Sequence, residues 1–399
     1  MNLQTSARDV RVEERPPLPA TGAERLLFID NLRWIMILLV ISMHSADTYS
    51  PFGNWYYVDR KPMSLASVIA FAAWQMYLQS FFMGLLFFAA GFFVPASFRK
   101  KGPAQFLRDR AFRLGLPVLF YMFLLGPITE YFLSHSWNST EPTSFPHEWI
   151  KHIRNGEFLQ ENGPLWFCLA LLIFSAFYAA WRVLRPRPEV AGNNESSLKA
   201  PLLAGFALVL AAFTFFSRLP LPPGWSLLNM HIGDFPQYIL LFSAGVIAAR
   251  TRWLQNLRLA SGVYSLLAAL TVGLAAWFLL LKFGAFAQNG SVFYSGWHWQ
   301  NAAFSFWESS SCVATSYALL AIFRNKFNSQ GPVARFLSAN AFSVYVFHPP
   351  ILILGARLLH PLVLPSLLKF VVLTLIASVA SFALSAIVFR RIPLLRAIL

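Results

Sequence analysis

Cysteine is nearly absent: the chain of 399 residues has two, Cys168 and Cys312, both inside long apolar runs. That argues against a disulfide framework and leaves no ligand spacing for a metal. Charge is scarce as well, at 12% of residues, about half of what ordinary soluble domains carry. No tight His-x-x-x-His pair occurs. The segment 135–162 holds His135, Glu141, His147, Glu148, His152, Glu157 and Glu161, but at irregular intervals, so no metal site is expected there. Residues 1–26 lack the apolar core of a cleaved signal. Arg8, Arg11, Arg15 and Arg25 mix with acids and prolines, which reads as a disordered cytoplasmic tail. Internal repeats and low-complexity tracts are missing too, so a single domain is expected.

What is abundant is apolar. Hydrophobic residues make up 57%, with 40 Phe and 13 Trp, and the mean hydropathy is +0.53. A soluble enzyme with one anchor does not look like this. Apolar runs at about 27–46, 66–97, 112–134, 163–184, 200–217, 233–249, 259–281, 301–323, 334–356 and 364–389 are each long enough for a bilayer core of about 30 Å. The expected fold is all-α and polytopic, with about ten transmembrane helices. A membrane domain 27–390 would lie between the tail and a short basic segment 391–399. Of the 32 Lys and Arg, 23 fall on one side of this alternation and eight on the other, with Arg33 inside a span. By the positive-inside rule both termini are cytoplasmic, in the inner membrane of the cell. The net charge of +15 is therefore dispersed as topology signals and makes no nucleic-acid-binding patch.

The run Asp30–Asp47 carries ionisable groups through an otherwise apolar helix. Arg33 and His44 are eleven positions apart, which puts them within about 20° of one face and about 16 Å apart along the axis. Asp30 precedes Arg33 by three residues and Asp47 follows His44 by three, near the same stripe. Intramembrane charges are costly, so such a stripe faces a cavity, a partner or a substrate. It is the candidate active site. The plainer reading is a neutralised Asp30–Arg33 pair at the headgroups and a histidine bonded to a neighbouring helix.

Further along, Gly84, Ala90 and Gly91 are small positions suited to helix packing. Arg110 and Arg113 share a face at the expected start of the third span. Arginine suits bidentate phosphate contacts, and cations at a helix start are relieved by an anion held on the free N–H groups. A phosphorylated cytosolic ligand is one reading; topology signalling and attraction to lipid headgroups is the other. Trp166, after Gly163-Pro164-Leu165, falls at the outer interface where belt tryptophans sit. The aromatic residues Phe293, Tyr294, Trp297 and Trp299 suit either that belt or stacking on sugar rings. Glu308 lies inside the eighth run and must be paired, protonated or facing a cavity, with Arg33 or His44 as conceivable partners. In the ninth, His348 precedes Pro349 and Pro350, whose missing N–H groups deprive carbonyls one turn earlier of partners.

Several of these segments resemble the membrane-bound acyltransferase family 3, whose members move acyl groups from the cytosol to carbohydrates outside. Arg33, ten residues, then His44 is similar to the family's first-helix signature. Phe88-Ala-Ala-Gly91-Phe92-Phe93 is similar to its second-helix segment, and Arg110-Ala-Phe-Arg113 with Pro117 to its Arg-x-x-Arg motif. Gly163-Pro-Leu-Trp166-Phe167 and Ser343-Val-Tyr345-Val-Phe-His348-Pro349 resemble two later elements. The likeness runs from about residue 26 to 390. The chain ends at Leu399 without the esterase-like domain many members carry, so the expectation is a stand-alone member similar to the glucan-modifying ones.

The resemblance implies an O-acyltransferase that uses acyl-coenzyme A as donor substrate, with no permanently bound cofactor, and a hydroxyl of an extracytoplasmic glycan as acceptor. Acetyl and succinyl are the expected acyl groups. Arg110 and Arg113 would hold the donor phosphates. His44 would act as base or transient acyl carrier, Arg33 would stabilise charge or orient the donor, and Asp47 would fix the imidazole. Asp30, Trp166, Glu308, Tyr345 and His348 are the substrate or cavity candidates. The rival class is a secondary transporter or flippase with the same residues as a proton relay, although inverted halves are not evident.

Overall fold

The apolar runs fold as helices because a bilayer offers a backbone no hydrogen-bond partner outside its own segment. A computed structural model describes residues 26–53, 55–134, 144–186, 198–221, 224–251, 253–285, 290–393 and 395. Nearly all of the expected tail 1–26, with His135, Glu141 and most of 391–399, lies outside them. Among the described residues, regular structure is helical apart from a hairpin that pairs Ser226–Leu227 with Met230–His231.

In chain order the main helices are α1 (Leu27–Tyr49), α2 (Leu65–Arg110) and α3 (111–134). A short α4 (Phe145–Arg154), α5 (Trp166–Leu184), α6 (Ala200–Arg218) and α7 (Phe235–Ala248) follow. The last four are α8 (Leu259–Gly284), α9 (Trp299–Lys326), α10 (Pro332–Leu359) and α11 (Ser366–Ile387). Each expected apolar run holds a helix. Seven helices among the described residues are long and apolar enough to cross a bilayer, fewer than the ten expected. The differences have local causes. Leu65–Leu133 is one helical stretch of 69 residues, although its path breaks at Gly102, where φ is 72° and ψ 171°. Helix α7 has 14 residues, and α9 is diluted by Asn301, Glu308 and Ser309–Ser311.

Helix α3 is not uniform. Two of its wide π turns, Ala111–Gly115 and Tyr121–Leu125, each end two residues before a proline, Pro117 and Pro127. A proline ring crowds the carbonyl four residues back and offers it no N–H, and a wider turn relieves both.

Helix α1 is central, packed against α2, α9, α10 and α11. Its residues Phe28, Ile29, Leu32, Met36 and Ile41 are almost fully buried. Helices α2 and α7 cross closely enough that a side chain at Gly91 would strike the Phe242 carbonyl, and one at Gly245 the Phe88 carbonyl. The small residues of α2 thus serve packing. Apolar side chains on the periphery, including Phe177, Phe216, Val272, Leu358 and Val379, are more than half exposed, as a lipid-facing surface requires.

Candidate active site

The polar stripe of α1 opens into two cavities. At its first end, Arg33 lies 3.8 Å from Asp30 and lines a cavity of about 460 Å³ together with Lys101, Asp109, Arg110 and Arg113. Among the described residues four cations face one carboxylate there, and that carboxylate is already held by Lys101 and by Gln105 at 2.6 Å. Arg110 lies over the Phe106 ring, 5.3 Å from its centroid. The apolar part of the wall includes Ala89, Phe93, Phe167 and Phe342. One expectation needs correction. The turn at Gly102 sets the start of the following helix at Pro103, so Arg110 and Arg113 sit about two and three turns inside it. The free N–H groups of that helix start lie about 11 Å from Arg110 and about 15 Å from Arg113 along the axis. An anion here would be held by side-chain charge, not by a helix terminus.

At the other end, His44 lines a second cavity, of about 490 Å³. Its Nδ1 lies 3.1 Å from Asp47 Oδ2, and Gln75 Nε2 donates to Asp47 Oδ1 at 2.7 Å. An ionised carboxylate can only accept, so a neutral imidazole in this contact carries its proton on Nδ1 and has its lone pair on Nε2. Trp55 stacks on the His44 ring at 3.8 Å between centroids, with planes 11° apart. The segment carrying Trp55 is tied down by Asp59, whose N–H donates to the Thr48 carbonyl at 2.8 Å. The Asp59 carboxylate meets buried Lys369 at 2.9 Å and His360 at 3.3 Å.

The His348 ring lies beside this stack, 5.5 Å from His44 and 6.5 Å from Trp55 between centroids. It is fully buried and lines neither cavity. Pro349 deprives the Tyr345 carbonyl of its helical partner, and His348 Nδ1 replaces it, donating at 2.8 Å. Helix α10 therefore runs on through both prolines without the break that their positions suggest. Tyr345 itself lines both cavities. Its hydroxyl donates to the Pro164 carbonyl, which pins α10 to the turn before α5.

The far wall of the second cavity is polar and aromatic. Arg218, 4% exposed, directs Nη2 to Asp234 at 2.8 Å and to Glu308 at 2.9 Å. Glu308 is therefore paired with Arg218 and not with Arg33 or His44. Trp166 lines this cavity and packs against Tyr238, 5.4 Å between centroids, so its place is in the wall and not in an interfacial belt. Tyr294 also faces it, whereas Trp297 and Trp299 are exposed.

A family model for an acyltransferase domain matches residues 26–390, nearly the whole chain. The chain belongs to acyltransferase family 3. No curated protein and no solved structure matches it.

Arg33, His44 and Asp47 of this acyltransferase come from one helix, and the structure brings His44 and Asp47 together while placing Arg33 in the opposite cavity. Gln75, Trp55, Arg218 and Asp234 went unnoticed in the sequence. Arg218 had a signal: a lone arginine ending an apolar run on the side poor in positive charge. Gln75 and Trp55 had none, since both are ordinary residues for a span and an interface. Beside the second cavity, the segment 159–163 adds a carboxyl group with displaced titration. Burial, with Glu130 and Glu157 nearby, pushes Glu161 up to about 7.

Proposed function

We propose that this membrane acyltransferase takes an acyl group from acyl-coenzyme A in the arginine-lined cavity and passes it to a carbohydrate hydroxyl in the His44 cavity. The arginine-lined cavity faces the cytosol, the other faces outward, and the membrane is the inner membrane of the cell. One observation carries the reading: the two cavities occupy opposite ends of the α1 stripe and share Tyr345 as a wall.

Arg110 and Arg113, with Lys101, bind the donor phosphates through charge-assisted contacts. Arg33 is about 16 Å from His44 along α1, so it orients the donor and does not touch charge developing beside the imidazole. The flexible arm of the donor spans that distance and delivers the thioester toward Tyr345. His44 Nε2 takes the proton of the acceptor hydroxyl as its oxygen attacks the thioester carbon. The C–S bond then breaks, the thiolate leaves, and the hydroxyl's proton passes from His44 to the thiolate. Asp47 supports the imidazolium between these events and Gln75 holds Asp47 in place. Small acyl groups, acetyl or succinyl, suit a passage closed by a tyrosine ring.

The test uses the purified protein in vesicles, with labelled acyl-coenzyme A on one side and a glycan acceptor on the other. His44→Ala should reduce transfer by about 10²–10⁴-fold. His44→Gln, which keeps hydrogen bonding but takes no proton at neutral pH, should be equally impaired. Donor binding should survive both. Near-normal transfer by His44→Gln would overturn the reading.

A further inference from the structure

The two cavities differ in charge as well as in position. Against the four cations and one carboxylate of the donor cavity, the His44 cavity is lined by Asp47, Asp234 and Glu308 with Arg218 as the one arginine or lysine among the described residues. Asp47 is committed to His44 and Gln75. Arg218 is committed too: a single nitrogen, Nη2, meets two carboxylates at 2.8 and 2.9 Å. An anionic ligand entering here would find its only arginine already over-compensated and two carboxylates beside it.

Other features favour a different ligand. Arg218 Nη1 is buried with no hydrogen-bond partner among the described residues, a donor suited to an uncharged oxygen. Each of Asp234 and Glu308 meets Arg218 through one carboxyl oxygen, and a carboxyl group has acceptor sites beyond that one, so both retain acceptors for incoming hydroxyls. Trp166, Tyr238 and Tyr294 supply aromatic faces on which the C–H face of a sugar ring can lie.

A structured rim completes the site. Trp225 precedes the hairpin, His231 ends it, and both line the cavity. The hairpin turns through Leu228 and Asn229, both at positive φ, 52° and 58°. That conformation is strained for leucine. It is held by Asn162, which donates to the Leu228 carbonyl at 2.7 Å, and by Asn229, which donates to the Gly163 carbonyl at 2.9 Å. These anchors fix the rim to the turn that presents Trp166.

We infer that the His44 cavity is an acceptor site for uncharged polyhydroxylated chains, neutral sugars, and that the Asp234–Arg218–Glu308 cluster excludes acidic ones. The inference rests on the transferase reading above for the acceptor role, but not for the binding preference. Two probes test it on the full chain in nanodiscs: a neutral linear gluco-oligosaccharide and an oligogalacturonate of the same length. Binding is read by calorimetry and by tryptophan fluorescence, and acyl-coenzyme A binding is measured separately. The neutral probe should bind at least about tenfold more tightly. Raising salt should leave its affinity unchanged and improve that of the acidic probe, because screening weakens the repulsion. Glu308→Gln, which replaces an ionisable carboxyl by a neutral amide and keeps an acceptor for Arg218, should narrow the gap. Should that variant fail to fold, the salt series on the unaltered protein decides. Equal or tighter binding of the acidic probe overturns the inference, as does binding of neither probe while acyl-coenzyme A binds normally. Neutral-probe preference without any acyl-coenzyme A binding supports this site and refutes the donor assignment.

Discussion

Replacing Asp47 by asparagine probes the base through its partner. The carboxylate accepts two hydrogen bonds, from His44 at 3.1 Å and from Gln75 at 2.7 Å. In Asp47→Asn one of those oxygens becomes an NH2 group that cannot accept. If the Gln75 bond persists, the new NH2 faces His44 Nδ1. The ring must then offer a lone pair on Nδ1 and carry its proton on Nε2, a donor where a base is needed. Loss of a general base costs about 10²–10⁴-fold in rate, and inversion of the tautomer places this variant toward the upper end. Gln75→Leu is the graded control. It removes one hydrogen bond to a carboxylate, about 1.5–3 kcal/mol, so transfer should fall by about 10–150-fold at most. Labelled acyl-coenzyme A and an oligosaccharide acceptor, with donor affinity measured in parallel, separate catalysis from binding. If Asp47→Asn keeps more than about a tenth of the rate, or Gln75→Leu is the worse of the two, the assigned tautomer is wrong.

Other consequences are equally direct. Arg110→Ala and Arg113→Ala should each weaken acyl-coenzyme A binding by about 1.5–3 kcal/mol, read by calorimetry; unchanged affinity in both would make the pair a topology signal. Glu161 is raised to about 7 from an ordinary value of 4.5, so the native state holds its proton where the unfolded chain has lost it. Its contribution to stability is complete below about 4.5 and disappears as pH rises through about 7. Glu161→Gln should therefore flatten the fall in melting temperature between those limits, and an unchanged pH profile would count against the raised value. Lys369→Met leaves the buried Asp59 carboxylate without its lysine. It should cost about 3–5 kcal/mol in unfolding experiments. Adding Asp59→Asn should restore most of that, and no recovery would show that the lysine packs and does not pair.

How far the sequence reaches depends on the distance over which each relation acts. His44 and Asp47 were legible because helical geometry alone relates residues three apart. Arg33 was legible as a stripe member, but its separation from the imidazole needed the cavities to be seen. Arg110 and Arg113 were recognisable as a pair and placed wrongly against the helix start, because the turn falls at Gly102 and not after it. Pro349 announced a carbonyl without a partner; that His348 itself would supply the donor depended on a side-chain rotation. The pairing of Glu308 with Arg218 joins α9 to the end of α6. Gln75 reaches Asp47 from α2, and Trp55 reaches His44 from a connecting segment. Each of these depends on helix packing, which composition and periodicity do not encode. The helix count shows the same limit from the other side, since α9 is too polar for a lipid-facing span yet is accommodated by burial among its neighbours.

The wall that the two cavities share also shapes the electric field. In an energised membrane the potential drops mainly across the stretch that water does not reach, and on the proposed arrangement, with one cavity entering from each face, that stretch is the region around Tyr345. A unit charge crossing the full drop gains or loses about 2.3 kcal/mol per 100 mV. An acetyl group passes with no electrical work. A succinyl group carries a carboxylate, and with the arginine cavity on the negative side the potential drives it outward. Transfer of an acidic acyl group would then draw on the membrane potential, whereas transfer of a neutral one would be indifferent to it.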